Sequence, residues 1–89
     1  MHLQIITPEE TFFKGEVDLV RVPGSSGSFA IMHGHAPIIS TLEPGTIKIV
    51  KGVDERFFDI NEQSVVEQNN NKVIIITQKI EESFPIFVR

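Results

Sequence analysis

Pro23-Gly24-Ser25-Ser26-Gly27-Ser28-Phe29-Ala30-Ile31-Met32-His33-Gly34-His35-Ala36-Pro37 is the stretch on which the reading of this chain turns. It holds three of the six glycines, two of the five prolines and two of the three histidines. Pro23-Gly24 and Gly27 read as one tight turn, because glycine accepts positive φ without a Cβ clash. Phe29 and Ile31 then alternate with Ser28, Ala30 and Met32, the period of two that marks a short strand with one buried face. His33-Gly34-His35-Ala36-Pro37 makes a second turn, and Pro37 pushes Ala36 toward an extended conformation. A strand gripped between two constrained loops suits a surface that meets something at fixed geometry.

The flanking sequence extends the same pattern. Residues 3–7 read as a strand stopped by Pro8-Glu9-Glu10, and 11–14 as an extended piece ended by Gly15. Residues 16–22 read as one strand whose apolar phase changes midway, which suggests a bulge or two covered faces. Residues 38–42 form a strand closed by Glu43-Pro44-Gly45. Along 46–51, Ile47 and Ile49 point inward and Thr46 and Lys48 outward, up to Gly52. A strand at 56–60 turns at Asn61-Glu62-Gln63. Residues 64–68 lead to a hairpin at Asn69-Asn70-Asn71, since asparagine tolerates the left-handed region. Residues 72–77 are apolar on both faces and are expected to be central. In the tail, 78–83 reads as at most a turn or two, Pro85 forbids a helix interior, and 86–88 is expected as a last edge strand.

Composition gives the class. Ile and Val number 22, Leu and Ala together 5. Branched side chains lose χ1 freedom in helices and pack well on pleated sheets, whereas helices are built from Ala and Leu. Turn signals near Gly15, Gly24, Gly34, Gly45, Gly52, Asn61 and Asn70 recur at steps of 9, 10, 11, 7, 9 and 9 residues. Short strands at that spacing point to an all-β sandwich or barrel, a single domain over residues 1–89. A chain of this size buries about 60–65% of its unfolded surface, with no room for a deep cofactor cleft.

Several function classes lose support. Eight Lys and Arg against 12 Asp and Glu, scattered singly, make no basic stripe for nucleic acid. Without Tyr or Trp there is little to stack on bases or sugars. Val73-Ile74-Ile75-Ile76, the longest aliphatic run, is too short to span a bilayer, and Met1-His2-Leu3-Gln4 lacks the basic start of a signal peptide. Cysteine is absent, so no disulfide or thiolate site exists.

His33-Gly34-His35 is the one constellation with catalytic potential. Two histidines two apart on a β scaffold resemble half of a cupin-type metal site, but a third ligand is needed. Glu43 is eight residues beyond His35, no histidine follows, and His2 is distant in sequence. The plainer reading places both imidazoles at a turn and an interface, with Gly34 for backbone shape. Ser28 has no recognisable base, Gly24-Ser25-Ser26-Gly27 lacks the nucleophile-elbow spacing, and no Gly-Lys pair forms a phosphate loop. The acidic pairs Glu9-Glu10 and Glu81-Glu82 read as solvated loop charges. These residues point to no cofactor, no metal, no catalytic set and no bound nucleotide.

The stretch from Pro23 to Ile38, with Gly27-Ser28-Phe29-Ala30-Ile31-Met32-His33-Gly34-His35-Ala36-Pro37, resembles the signature of the epsilon subunit of F-type ATP synthases. That family reads Gly-x-x-Gly-x-Phe-Gly-Ile-Leu-Pro-Gly-His-Ala-Pro-Leu. The likeness continues in the strand-Thr-Pro-Glu-x-x-x-Phe-x-Gly pattern of residues 3–15, in Leu42-Glu43-Pro44-Gly45-Thr46-Ile47-Lys48-Ile49, and in Asn71-Lys72-Val73-Ile74-Ile75. Ala30 stands where the family has Gly, His33 where it has Pro, and Asn61-Glu62-Gln63 replaces a Gly-Gly turn.

The resemblance implies a sandwich of about ten strands in two sheets, at the foot of a rotor's central stalk. It implies a non-catalytic subunit that binds the gamma subunit and the membrane c-ring and couples ion translocation, of protons or sodium ions, to ATP synthesis. Gly27, Ser28 and Phe29 match the ring-facing loop. Thr7, His35, Ser40 and Thr46 match positions on the gamma-facing side. Localisation would be peripheral, on the cytoplasmic face of the bacterial inner membrane, through the complex. Longer relatives end in a self-inhibitory two-helix hairpin; residues 78–89 offer no such helix, so a coupling subunit without that switch is expected. A metal-dependent β-barrel enzyme using His33 and His35, and a free-standing ligand-binding sandwich, are the competing classes.

Overall fold

The computed structural model describes residues 1–84. It is built entirely from strands: β1 (His2–Ile6), β2 (Thr11–Glu16), β3 (Leu19–Gly24), β4 (Gly27–Met32), β5 (Ile38–Leu42), β6 (Gly45–Lys51), β7 (Asp54–Ile60), β8 (Ser64–Asn69), β9 (Lys72–Ile76) and β10 (Ile80–Ser83). Hydrogen bonding runs unbroken in the order β10-β7-β6-β3-β5-β8-β9-β1-β2, with β4 added to β3. All pairs are antiparallel except β1 with β9. The sheet folds over on itself. One layer holds β4, β3, β6, β7 and β10, the other β5, β8, β9, β1 and β2.

The fold-over has a local cause. β5 and β6 lie along the same edge of β3, with Leu42 opposite Gly24 and Lys48 to Val50 opposite Arg21 to Leu19. Glu43-Pro44 is therefore a bend inside one continuous run, where the sequence reads as a strand-closing turn. Pro23 sits in the gap between the two ladders, where its missing N–H leaves no bond unmade. Its carbonyl accepts from Glu43 N–H at 2.8 Å, and Thr41 O accepts from Ser25 N–H at 3.1 Å.

Alternation fills the interior as expected: Leu3 and Ile5, Val20 and Val22, Ile47 and Ile49, Phe58 and Ile60 all face inward. The aromatic rings of β2 complete it from the opposite layer. Phe12 and Phe13 meet Phe58 edge-on, at 5.6 and 6.2 Å between centroids.

Three further expectations are corrected. Residues 16–22 are not one strand: β2 ends at Glu16 and β3 starts at Leu19. The phase change marks the crossing between layers, tied by Val17 N–H to Met1 O and Asp18 N–H to Val50 O. Gly15 lies inside β2 rather than at a turn. Residues 80–83 form β10, because the open edge of β7 supplies partners that local sequence does not reveal. β9 is central as expected, paired with β8 and β1, although its outward Ile74 is only half-buried and Ile76 is 56% exposed. The strand expected at 86–88 lies outside the described residues. At 61–63 no residue has positive φ, so Asn-Glu-Gln there does not need glycine's backbone freedom; among the described residues Asn70 (52°) and Asn71 (59°) are the non-glycine residues with positive φ.

Candidate functional site

The β3–β4 hairpin holds the conformationally special residues of the opening stretch. A Cβ at Gly24 would lie 2.7 Å from Gly27 O and 2.7 Å from the Phe29 ring, so only glycine lets that ring fold over the turn. Gly27 has φ 126°, a conformation that side chains rarely adopt. Ser25 fastens the turn to the bend beside it, with Oγ 2.7 Å from Thr41 Oγ1. Phe29 and Ile31 point inward, Phe29 half-buried against the core and Ile31 fully buried. Ser28 and Met32 are exposed.

The following loop is fastened at its other end. His35 N–H donates to Met32 O at 3.0 Å, and Gly34, with φ 82°, donates its N–H to Asn71 Oδ1 at 3.1 Å. Two left-handed turns, one glycine and one asparagine, thus hold each other. His35 Nδ1 faces Ala36 O at 2.6 Å, and His33 is exposed. Among the described residues no group of three His, Cys, Asp or Glu side chains converges on a metal-sized site. Next to this loop a groove of about 400 Å³ is lined by Pro37, Ile38, Ile39, Glu67, Gln68 and Asn69. Gln68 is buried, and its Oε1 has no hydrogen-bond partner.

The fold distributes the sequence-derived positions over two ends. Gly27 and Ser28 sit at the folded end, with the Thr7 turn and Thr46, just past the Glu43-Pro44 bend. Thr7 is buried, its Oγ1 bonded to the Glu10 backbone. Thr46 Oγ1 donates to Asp59 at 2.8 Å on the outer surface of β6 and β7. His35 is at the opposite end. Ser40 lies between, opposite the buried Val66, half-buried on the inward side of β5. Ser28, Thr7 and Thr46 thus share one end of the sandwich on different strands, and His35 lies at the other.

Charge is arranged simply. At the lateral side, where β7 and β10 face β2, Arg56 lies over the rings of Phe13 (5.5 Å) and Phe58 (5.1 Å) and donates two hydrogen bonds of 2.9 Å to Glu82. Those bonds hold the Glu82 carboxyl below its ordinary value and raise Arg56 above its own. The His2 hydrogen bond and then the N-terminal amine lower Glu16 likewise. Both pairs join neighbouring strands.

A surface that sequence reasoning missed lies outside β5, β8, β9 and β1. The register places Ile6 beside Ile76 and Val65, and Ile74 beside Glu67 and Ile39. Ile39 is 72% exposed and Val65 38%. Isoleucines on both parities of 73–76 and at 38–39 were the available signal.

The fold defines a small all-β sandwich domain whose positive-φ positions lie in the turns between strands. Residues 1–83 match the profile of the family described as ATP synthase, Delta/Epsilon chain, beta-sandwich domain. The chain belongs to this family. It is 41% identical over 78 residues to an ATP synthase epsilon chain of Leptospira borgpetersenii, covering 86% of this chain and 60% of that one. Against the epsilon chain of Caulobacter vibrioides identity is 38% over 60 residues, 67% of this chain and 70% of the relative. Against that of Chlorobium limicola it is 39% over 79 residues, 88% and 89% of the two chains. In fold it resembles a chain of the Euglena gracilis mitochondrial ATP synthase, with a TM-score of 0.83 at 20% identity over 90% of this chain and 51% of the other. The matched part thus spans from about half to nearly nine-tenths of these proteins.

Proposed function

We propose that this chain is a central-stalk subunit of an F-type ATP synthase, a non-catalytic part that joins a gamma subunit to the membrane c-ring and transmits rotation between ion translocation and ATP synthesis. The observation that carries the reading is the family match over 1–83, which takes in every strand among the described residues. In this reading Gly27, Ser28 and Phe29 form the ring-facing loop, with Phe29 shaping the turn from within. Thr7, His35, Ser40 and Thr46 belong to the gamma-facing side, Thr7 and Thr46 standing where the two contacts adjoin. The outward strip of Ile6, Ile39, Val65, Ile74 and Ile76 supports a face that is covered in the complex, because contiguous exposed apolar surface marks interaction sites. The subunit binds no nucleotide of its own and is peripheral, held on the cytoplasmic face of the bacterial inner membrane by the complex.

Membranes carrying the ATP synthase with and without this subunit test the reading. Added back, the subunit should sediment with the complex and restore ATP-driven ion pumping per ATP hydrolysed. Ile76→Arg, an exposed position whose change leaves the core intact, should abolish capture of the gamma subunit while the chain stays folded. Pumping and capture indifferent to the subunit would sink the proposal.

A further inference from the structure

β4 is an edge strand whose only partner among the described residues is β3. Gly24 and Gly27 face each other across a two-residue turn and so exchange both backbone bonds; by alternation Val22–Phe29 and Val20–Ile31 do the same. The pairs between them, Pro23–Ser28, Arg21–Ala30 and Leu19–Met32, do not, which agrees with proline lacking an N–H. The N–H and C=O groups of Ser28, Ala30 and Met32 therefore point away from the sheet. Of these, Met32 C=O accepts His35 N–H at 3.0 Å. Both groups of Ser28, both of Ala30 and the N–H of Met32 remain open.

Sheets ordinarily blunt such edges with charge, proline or a cover. Edge strand β2 carries Lys14 and Glu16, and β10 carries Glu81 and Glu82. The edge of β5 is closed at one end by Ser25. β4, Gly-Ser-Phe-Ala-Ile-Met, carries no charge and no proline. It is also held straight from both ends, by the Gly24 turn and by the Gly34–Asn71 tie.

We infer that this edge receives one extended strand of a partner polypeptide, paired through the backbone groups of Ser28, Ala30 and Met32. Main-chain pairing would supply affinity, and the small side chains of Ser28 and Ala30 would admit a close neighbour. A second copy of this chain fits less well. Two-fold pairing about Ala30 sets Ser28 N–H against Met32 C=O, which already accepts from His35 N–H, so that donor must share its acceptor in each copy. The inference rests on the function proposed above in one respect: the partner chain is a neighbour in the stalk.

Amide hydrogen exchange, resolved to single residues, of the free chain and of the chain in the assembled ATP synthase provides the test. On assembly the amides of Ser28, Ala30 and Met32 should slow by about tenfold or more, while those of Phe29 and Ile31, already bonded to β3, should not change. Uniform slowing of both parities would mean a surface laid over the strand, and unchanged exchange would mean an empty edge; either overturns the inference while leaving the stalk assignment intact. A chain that never enters the complex overturns the stalk assignment, and the strand partner with it. Alternating protection in the free chain together with a dimer in sedimentation would make a second copy the occupant and overturn it too. Ala30→Pro removes one outward N–H without touching a bond to β3, and should weaken incorporation about tenfold or more, whereas Ala30→Val should incorporate normally. If Ala30→Pro fails to fold, the exchange pattern of the unmodified chain still decides.

Discussion

Two regions of this sandwich, its hairpin end and its lateral side, are made rigid by different means. At the β3–β4 hairpin the stiffness is in the backbone: Gly24 has no space for a Cβ, Gly27 has positive φ, and the turn is stitched to the bend at Thr41. At the lateral side, where β2 faces β7, it is in the side chains: Phe12, Phe13 and Phe58 meet edge-on and Arg56 lies over two rings with Glu82 behind it. The first arrangement leaves main-chain groups exposed with fixed geometry, as a docking edge requires. The second buries aromatic area, as closure of the two layers requires. The two regions should therefore fail in opposite ways, to an added methyl at one and to side-chain truncation at the other.

The largest effect is expected at the aromatic side. Phe58→Ala removes a fully buried ring on which two others rest, and should cost about 3–5 kcal/mol in urea unfolding. A loss below about 1 kcal/mol would show that the layers are closed elsewhere.

Next comes Gly24→Ala. The new methyl meets Gly27 O and the Phe29 ring at 2.7 Å, so ring or turn must move, at about 1–3 kcal/mol. Its exchange protection should fall locally in 24–31 while the Phe58 side keeps its own. A uniform fall would erase the distinction between the regions.

The Arg56–Glu82 pair is smaller and depends on pH. It is a surface pair, worth about 0.5–1 kcal/mol, so Glu82→Gln should destabilise by that amount at neutral pH. Because Arg56 depresses the Glu82 carboxyl, its contribution is fully present above the ordinary value of 4.5 and is lost as pH falls through the lowered folded value. The difference between the parent and Glu82→Gln should thus be flat above that region and vanish in stronger acid. A difference that grew on acidification would falsify the assignment.

The smallest effect is a control. At Gly15, in the side-chain-stiffened region, a Cβ would find the Phe13 ring at an ordinary 3.8 Å. Gly15→Ala should change stability by less than about 0.5 kcal/mol, in contrast with the same substitution at Gly24. Equal costs at the two glycines would mean that backbone shape is no more demanding at the hairpin than in β2.

What the amino-acid sequence determined by itself is whatever depends on neighbours along the chain. Alternation at Ile47 and Ile49, the left-handed asparagines after β8 and the glycine turns at 24–27 and 33–35 are local. Each follows from side-chain period or from the φ that one residue tolerates. The class followed from the excess of Ile and Val, and the family from a motif contiguous in sequence. What only tertiary structure decided is which edges meet. Glu43-Pro44 reads as a turn but is a bend, because Gly24 and Arg21 offer one continuous edge to both β5 and β6. Residues 80–83 show one buried anchor, Ile80, and become a strand because β7 has an open side. Phe13 and Arg56 come together only after the layers close. The free edge of β4 is likewise invisible in six residues of sequence: an unpaired backbone group is defined by the strand that is not beside it, and that is a property of the whole sheet.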